Sequence, residues 1–432
     1  MTGAYWRNTP SDGGSASPGP PPDRVDVAVV GAGFAGLSIA RDLLRAAPGL
    51  RVAVLDARHP GYGASGRNAG AVLPLAVLPW LLPGSAGGHD PRRMQRLLHA
   101  RIGARVRQLA ADHPTGEIRQ VRMLLIATNR LVAAGLDWLG RATAAAGIEA
   151  QHWSGDDVEA QCAAPARAGV ALAAWTIHPA RLAASLAAEF VTAGGVLCRH
   201  TPVAAVVPDA TGTWLHLGGD ARMRADRVVV CTGGYTPAVA LPDRLSARTL
   251  HTYMRAGQPL PEPDAQALGG ERLFLAAPGP GMPYWRTHDR RLLFGAADVR
   301  GVSPGEDADA LPDGHRAVDR LLRRRLPAAA GHTPTHRWGG PIHVTRTEVP
   351  HLARSAVSDR VVYAVGFSGS GVALALSAGP LVRDLVLGPA AADPEAVTLR
   401  RAMQATRLPW RGLLTTVPPV VAHLLRGLQP WR

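Results

Sequence analysis

The 432-residue chain has no lysine; every one of its 47 basic side chains is arginine. Cysteine is scarce as well. Cys162, Cys198 and Cys231 lie far apart with no CxxC pair, which argues against a disulfide framework and a structural metal site and for a reducing compartment, the cytoplasm. No apolar run approaches the roughly 18 to 20 residues that cross a bilayer. The opening MTGAYWRNTPSDGGSASPGPPPD lacks the apolar h-region of a secretory signal. Acidic side chains number only 33, leaving a formal net charge of +14. Such an excess can suit nucleic acid. Here, however, the arginines are scattered, densest in LLRRRLP at 321–327, and no zinc-finger or helix-turn-helix pattern accompanies them. Anionic cofactors and acidic substrates fit this charge better.

The length admits two domains, or two that interleave, and 47% apolar residues suit a soluble globular protein. Residues 1–22 are rich in Gly, Ser and Pro, and we expect a disordered leader with nothing to bury.

From Val25 the chain runs VDVAVVGAGFAGLSIARDLLRAAPGLRVAVLDA. This predicts a buried strand (25–30), a turn at Gly31, Gly33 and Gly36, a helix with Leu37, Ala40, Leu43 and Leu44 on one face, and a second strand (51–55) ending at Asp56. Gly31 allows the tight turn, Gly33 lets backbone approach a pyrophosphate, and Gly36 lets helix pack on strand. Asp56 stands where a carboxylate can accept ribose hydroxyls and disfavours a 2′-phosphate, hence NADP. A dinucleotide is implied, NAD or FAD.

A second glycine run, GYGASGRNAG at 61–70, bears on that choice. FAD is longer than one βαβ unit can hold. Ser65, Arg67 and Asn68 would supply donors for its phosphate, ribityl and ring edge. A glycine-rich surface turn is the plainer reading. Further along, DRVVVCTGGYT (226–236) predicts a buried strand running into Thr232 and Gly233. DRVVYAVGFSGSGVALALSAGPLVRDLVLG (359–388) predicts a third strand, a glycine-serine turn and a helix whose N-terminus can face an anion.

VVGAGFAGLSIA, GASGRNAG, VVVCTGGY, YWRTHDRRLLFG, RWGGPIHVTRTEVPHL and YAVGFSGSGVALA in this order resemble the FAD-dependent amine and amino-acid oxidoreductases of the D-amino-acid oxidase and sarcosine oxidase superfamily, nearest the gamma-glutamylputrescine oxidase-like branch. The resemblance spans about residues 24–390. It implies an α/β fold, with a Rossmann-like FAD domain (24–88, 154–237 and 337–395) interleaved with an antiparallel-sheet substrate domain (89–153 and 238–336), followed by a tail (396–432). It also implies that Gly31, Gly33, Gly36 and Asp56 bind the ADP half, and Ser65, Arg67 and Asn68 the pyrophosphate and flavin side. Val203 would meet adenine, Thr232 and Gly233 the pyrophosphate, and Gly366, Ser368, Gly369 and Gly371 the pyrimidine end of the flavin. The implied chemistry is hydride transfer from a C–N bond to flavin N5, giving an imine that water hydrolyses.

The chain departs from that pattern. Several relatives hold a lysine over the flavin, absent here, so oxygen or another acceptor is left open. Ile342 and its neighbours are not cysteine, so non-covalent FAD is expected. Ser370 stands where the branch carries histidine, and His343 where it carries an acid.

Tyr284 and Arg286 lie at i and i+2 of a predicted strand and share a face, where Arg286 can clamp a carboxylate; a sheet-surface pair is the alternative. His343, flanking the flavin site with Trp338, can assist amine deprotonation if its pKa lies near neutral, or be structural. Tyr253 and Gln258 are candidate pocket residues. His178, before Pro179, reads as a helix cap. The basic segment 89–112, with Leu97, Leu98, Ile102, Val106 and Leu109 on one side, reads as a core-packing helix. The tail, with Trp410 and Trp431, reads as packing on the body or a subunit contact in preference to a membrane surface. Two other readings stand beside this one: a flavoprotein subunit needing an electron-transfer partner, and a flavin monooxygenase. The latter lacks its usual late Gly-Asp motif here.

Overall fold

The run Arg24–Val30 is buried throughout its second half, as a strand covered on both faces must be. It lies inside a parallel sheet. The computed structural model describes residues 4–8, 21–73, 77–82, 84–277, 282–298, 312–369 and 371–407. In chain order the elements are β1 (Arg24–Val30), α1 (Phe34–Ala46), β2 (Val52–Leu55), β3 (Ala71–Val72), α2 (Pro91–Asp112), β4 (Arg119–Ala127), α3 (Arg130–Ala145), β5 (Ala150–Ser154), α4 (Gly155–Cys162), β6 (Ala168–Thr176) and α5 (Pro179–Thr192). They continue with β7 (Val196–Cys198), β8 (Val203–Pro208), β9 (Thr213–Leu217), β10 (Arg222–Val230), β11 (Ala247–Pro259), α6 (Glu262–Ala267), β12 (Leu273–Ala277), β13 (Tyr284–His288), β14 (Arg291–Asp298) and α7 (Pro312–Arg325). Then follow β15 (Pro334–Thr345), β16 (His351–Arg354), β17 (Val361–Val365), α8 (Gly371–Leu376), α9 (Ala378–Leu387) and α10 (Pro394–Ala405).

The first sheet has eight strands in the order β16-β17-β10-β1-β2-β7, with β9 on β10 and β8 on β9. β17, β10, β1, β2 and β7 run parallel. One face is covered by helices through Leu37, Leu98, Leu186, Leu374, Leu381 and Leu399. The other packs Val228, Val230 and Tyr363 against Val206, Leu215 and Leu217. Adjacent parallel strands therefore end together, and α/β sheets bind ligands beyond those ends.

The second sheet has nine strands in the order β15-β11-β14-β13-β12-β4-β6-β3, with β5 on β6. It is antiparallel except for the parallel pair β12 and β4, so the expected antiparallel sheet is in fact mixed. Its outer face packs Phe274, Trp285 and Phe294 against Val158, Val318 and Leu322 of α4 and α7. Its other face carries Met254, Leu293 and Trp338, packed against Ala69.

Several segments differ from their sequence reading; β3 and most of β15, grouped above with the FAD half, belong to the second sheet. Helix α2, grouped above with the substrate half, shares the core of the first sheet's helices through Leu98, Ile102 and Val106. Strand β6, grouped above with the FAD half, belongs to the second sheet. The helix expected after Gly371 is two, α8 and α9, parted at Ser377. The leader is not bare throughout. Tyr5–Asn8 form a 3-10 turn, with Ala4, Tyr5 and Trp6 buried in the second sheet's inner cluster. An aromatic pair has apolar surface to bury, which the surrounding Gly, Ser and Pro conceal in an average.

Candidate active site

The first glycine run is shaped by backbone crowding. Gly31 has φ +109°, and a Cβ there would lie 2.6 Å from the Cys231 carbonyl oxygen; one on Gly36 would lie 1.9 Å from the Gly31 oxygen. Only glycine lets β1, α1 and the end of β10 meet so closely. Gly33 stands at the α1 N-cap, with no side chain of its own to cap the helix. Asp56, at the end of β2, accepts from the amide of Ala32 at 2.8 Å, and burial raises its pKa. The chain leading to Val203 is tied to the same residue: Thr201 N donates to the Asp56 carbonyl at 2.8 Å. Across the crevice, the Thr232 hydroxyl bonds that of Thr236 at 2.9 Å, while Gly233, at φ +53°, has open space where a Cβ would stand. Glycines with close backbone, a helix N-terminus and a carboxylate at the strand end fit a dinucleotide.

The second glycine run crosses to this crevice. Ser65 Oγ accepts from the amide of Phe34 at 2.9 Å, satisfying one of the orphan donors of α1. Its hydroxyl hydrogen stays available for a phosphate. Arg67 is buried and braces the run to β15. Its Nε donates to Tyr62 O at 3.0 Å, Nη1 donates to Gly339 O at 2.6 Å, and the guanidinium lies 4.9 Å from the Tyr62 ring centroid. Asn68 is spent on its own turn: Nδ2 donates to Ala64 O and Ser65 O, and Oδ1 accepts from Gly70 N. Both side chains hold the loop's shape.

Strand β15 collects the glycine segments. Trp338 is fully buried, and its indole N–H donates to Arg67 O at 2.8 Å. A Cβ on Gly234 would meet Pro341 O at 2.5 Å. His343 O accepts from Ser368 N at 3.2 Å, joining β15 to the turn 366–369. Ser368, at φ +49°, accepts from Thr345 N at 3.1 Å and donates to Gly366 O at 3.0 Å. Gly366 (φ +74°) sits against Thr345, whereas Gly369 (φ +80°) opens on space just before α8 begins at Gly371. His343 Nδ1 is buried with no hydrogen-bond partner, and burial, aided by His351, lowers its pKa to about 4. It is a neutral imidazole at neutral pH.

On β13, Tyr284 and Arg286 do share a face, opposite Trp285. Arg286 is 2% exposed, and its Nη2 donates to Ile177 O at 3.2 Å. Its Nε has no partner, and among the described residues no carboxylate lies within ion-pair distance of it. Burial brings its pKa down to about 10, so it stays charged at neutral pH. A Cβ on Gly70 would come within 3.0 Å of its Nη2, which places this cation beside the second glycine run. Tyr284 lies over Gly295, and burial raises its pKa to about 12.

Other candidates go elsewhere. Tyr253 points to the outer face, packed on Gly314 and edge-on to His315 at 5.4 Å, because adjacent strand residues alternate faces. Gln258 is exposed near the end of β11. His178 caps α5, its Nδ1 accepting from Arg181 N at 3.3 Å. Ser370 and the tail residues Trp410 and Trp431 lie outside the described residues.

Sequence reasoning missed the polar neighbours of Arg286. His288 Nε2 bonds Glu117 Oε2 at 3.1 Å, and His288 Nδ1 bonds the Tyr5 hydroxyl at 3.0 Å. His288 stands two residues past Arg286 on one strand face, the only local signal available. Glu117 and Tyr5 carried none.

Among the described residues no helix is long and apolar enough to cross a membrane. The chain is 27% identical over 394 residues to gamma-glutamylputrescine oxidoreductase of Escherichia coli (strain K12), covering 84% of each. Its fold matches glycine oxidase from Geobacillus kaustophilus with TM-score 0.69 and 21% identity, over 85% of this chain and 95% of that one. L-proline dehydrogenase from P. horikoshii matches with TM-score 0.70 and 15% identity, over 85% and 94%. The family described as FAD dependent oxidoreductase matches residues 26–385. With the glycine crevice and Asp56 in place for a dinucleotide, this chain belongs to that family: it is an FAD-dependent oxidoreductase.

Proposed function

We propose that the chain oxidises the C–N bond of an amine or amino acid that bears a carboxylate, and that Arg286 holds the carboxylate. The observation that carries this reading is Arg286 itself, a buried cation beside the second glycine run with a free Nε and no carboxylate partner among the described residues. A buried guanidinium with no carboxylate bonded to it is costly, although Glu271 and Glu117 act on it through space, and a planar carboxylate matches its fork. The relatives named for gamma-glutamylputrescine, glycine and L-proline support the substrate class.

In this reading Gly31, Gly33, Gly36 and Asp56 hold the ADP half of FAD, Val203 borders adenine, and Thr232 and Gly233 border the pyrophosphate. Ser65, Arg67 and Asn68 hold the loop that encloses the flavin, and the 366–371 turn faces its pyrimidine end. Bound FAD supplies a hydride acceptor for the substrate carbon beside nitrogen. The protein orients that carbon and excludes water. Burial leaves His343, with a pKa of about 4, too weak a base to deprotonate an ammonium, so the amine binds in its neutral form, and water hydrolyses the imine that hydride loss gives. FAD is bound without a covalent link: all three cysteines are free and buried, and burial raises their thiol pKa values, so none is a ready nucleophile.

The test is anaerobic. Amines, imino acids and D- and L-amino acids are added to FAD-loaded protein, and the visible flavin band is followed. Bleaching by a carboxylate-bearing amine supports the reading, and the speed of colour return in air distinguishes oxygen from another acceptor. No bleaching by any member of the panel contradicts it.

A further inference from the structure

The space in front of Arg286 is filled by the chain itself. Trp6 is fully buried, and its indole N–H donates to Asn68 O in the second glycine run at 2.7 Å. Its ring centroid is 5.6 Å from the Arg286 guanidinium and 4.9 Å from each of the His178 and His288 rings. Tyr5 bonds His288 and stands edge-on to His336 at 5.7 Å. Trp6 therefore meets both the cation and the loop assigned to the flavin, covering the face of Arg286 on which a substrate carboxylate would be held. Beneath the pair are Ala69, Met254, Leu293 and Trp338, an apolar wall beside one charge.

We propose that Ala4–Asn8 is an intramolecular occupant of the substrate site, displaced when a carboxylate-bearing substrate binds Arg286. The inference rests on the carboxylate reading above. With the segment seated, Arg286 is shut in, one Nη on a backbone carbonyl and an aromatic face against the guanidinium. An aromatic face is a weaker partner for a cation than a carboxylate with two hydrogen bonds, so substrate can win the exchange. The tether raises the segment's local concentration, so substrate must compete with it, and the apparent affinity falls by the fraction of molecules with the site open. The device raises the substrate concentration needed for half-saturation.

Acetate serves as the probe, with chloride at equal ionic strength as the control. In FAD-loaded full-length chain, acetate should speed tryptic cleavage after Arg7 several-fold, and Arg286→Gln should abolish that acceleration. By calorimetry, Trp6→Ala should bind acetate about ten-fold more tightly than the unaltered chain. Equal acetate affinity in the two, lost on adding Arg286→Gln, would overturn the plug while leaving the carboxylate reading intact. Acetate binding in Trp6→Ala that ignores Arg286→Gln would overturn both. The proteolysis of the unaltered chain decides the matter even if Trp6→Ala does not fold: cleavage unchanged by saturating acetate overturns the plug.

Discussion

The two sides of the site are built from different materials. The crevice beyond β1, β2 and β10 is made of backbone: carbonyls and amides brought within reach by Gly31 and Gly36, with Asp56 and Ser65 as its few side-chain partners. The facing wall on β13 carries buried ionisable side chains, Arg286 and His288. A backbone cradle is intolerant of added atoms and indifferent to pH. A wall of buried charges is the reverse, since its geometry tolerates small changes but its energy follows protonation. The proposed division of labour, a fixed cofactor on one side and substrate selection on the other, would use both properties.

The comparison is broken most severely at Gly36. Gly36→Ala puts a Cβ 1.9 Å from the Gly31 oxygen, and backbone cannot step aside. We expect a loss at or above the upper end of about 1–3 kcal/mol, with flavin lost in parallel, measured by denaturant unfolding and the visible spectrum of purified protein.

Acid should act on the buried histidines. His178 and His343, both buried, have pKa values lowered to about 4 chiefly by burial. The unfolded chain therefore binds more protons than the folded one between about pH 6.5 and pH 4. Stability is complete above pH 6.5 and falls through that window, by several degrees of Tm in a pH series. His343→Gln should flatten part of the slope; an unchanged slope would show that its burial does not govern it.

Arg67→Ala removes the brace between the second glycine run and β15, leaving Tyr62 O and Gly339 O without their donors. A stability loss of about 1–3 kcal/mol and weaker FAD retention on dialysis are expected. Arg286→Lys should keep FAD and raise the KM of a carboxylate substrate about ten-fold, because an ammonium cannot reproduce the fork. The smallest effect is at Ser65→Ala, which uncaps the Phe34 amide and costs about 1 kcal/mol.

The same division explains what could be read from the sequence. Strand, glycine turn, helix, strand and Asp56 follow one another within one βαβ unit, so local spacing carries them, and β1, α1 and β2 fall where the pattern places them. The wall depends on contacts across the chain: Tyr5 meets His288 across 283 positions, and His288 meets Glu117 across 171. No periodicity encodes such pairs. Alternation along β13 correctly put Tyr284 and Arg286 together. On β11, alternation could not say which face looks on the site, and Tyr253 turned to α7.

Recognition of a substrate carboxylate by Arg286 is open to direct test. The direct measurement is the anaerobic rate of flavin bleaching by a matched pair of amines, one with and one without a carboxylate, in the unaltered chain and in Arg286→Gln. We predict that the carboxylated amine bleaches the flavin at least ten-fold faster, and that Arg286→Gln removes this preference while flavin content is retained. Equal bleaching by the pair, or the same preference in Arg286→Gln, would contradict the account.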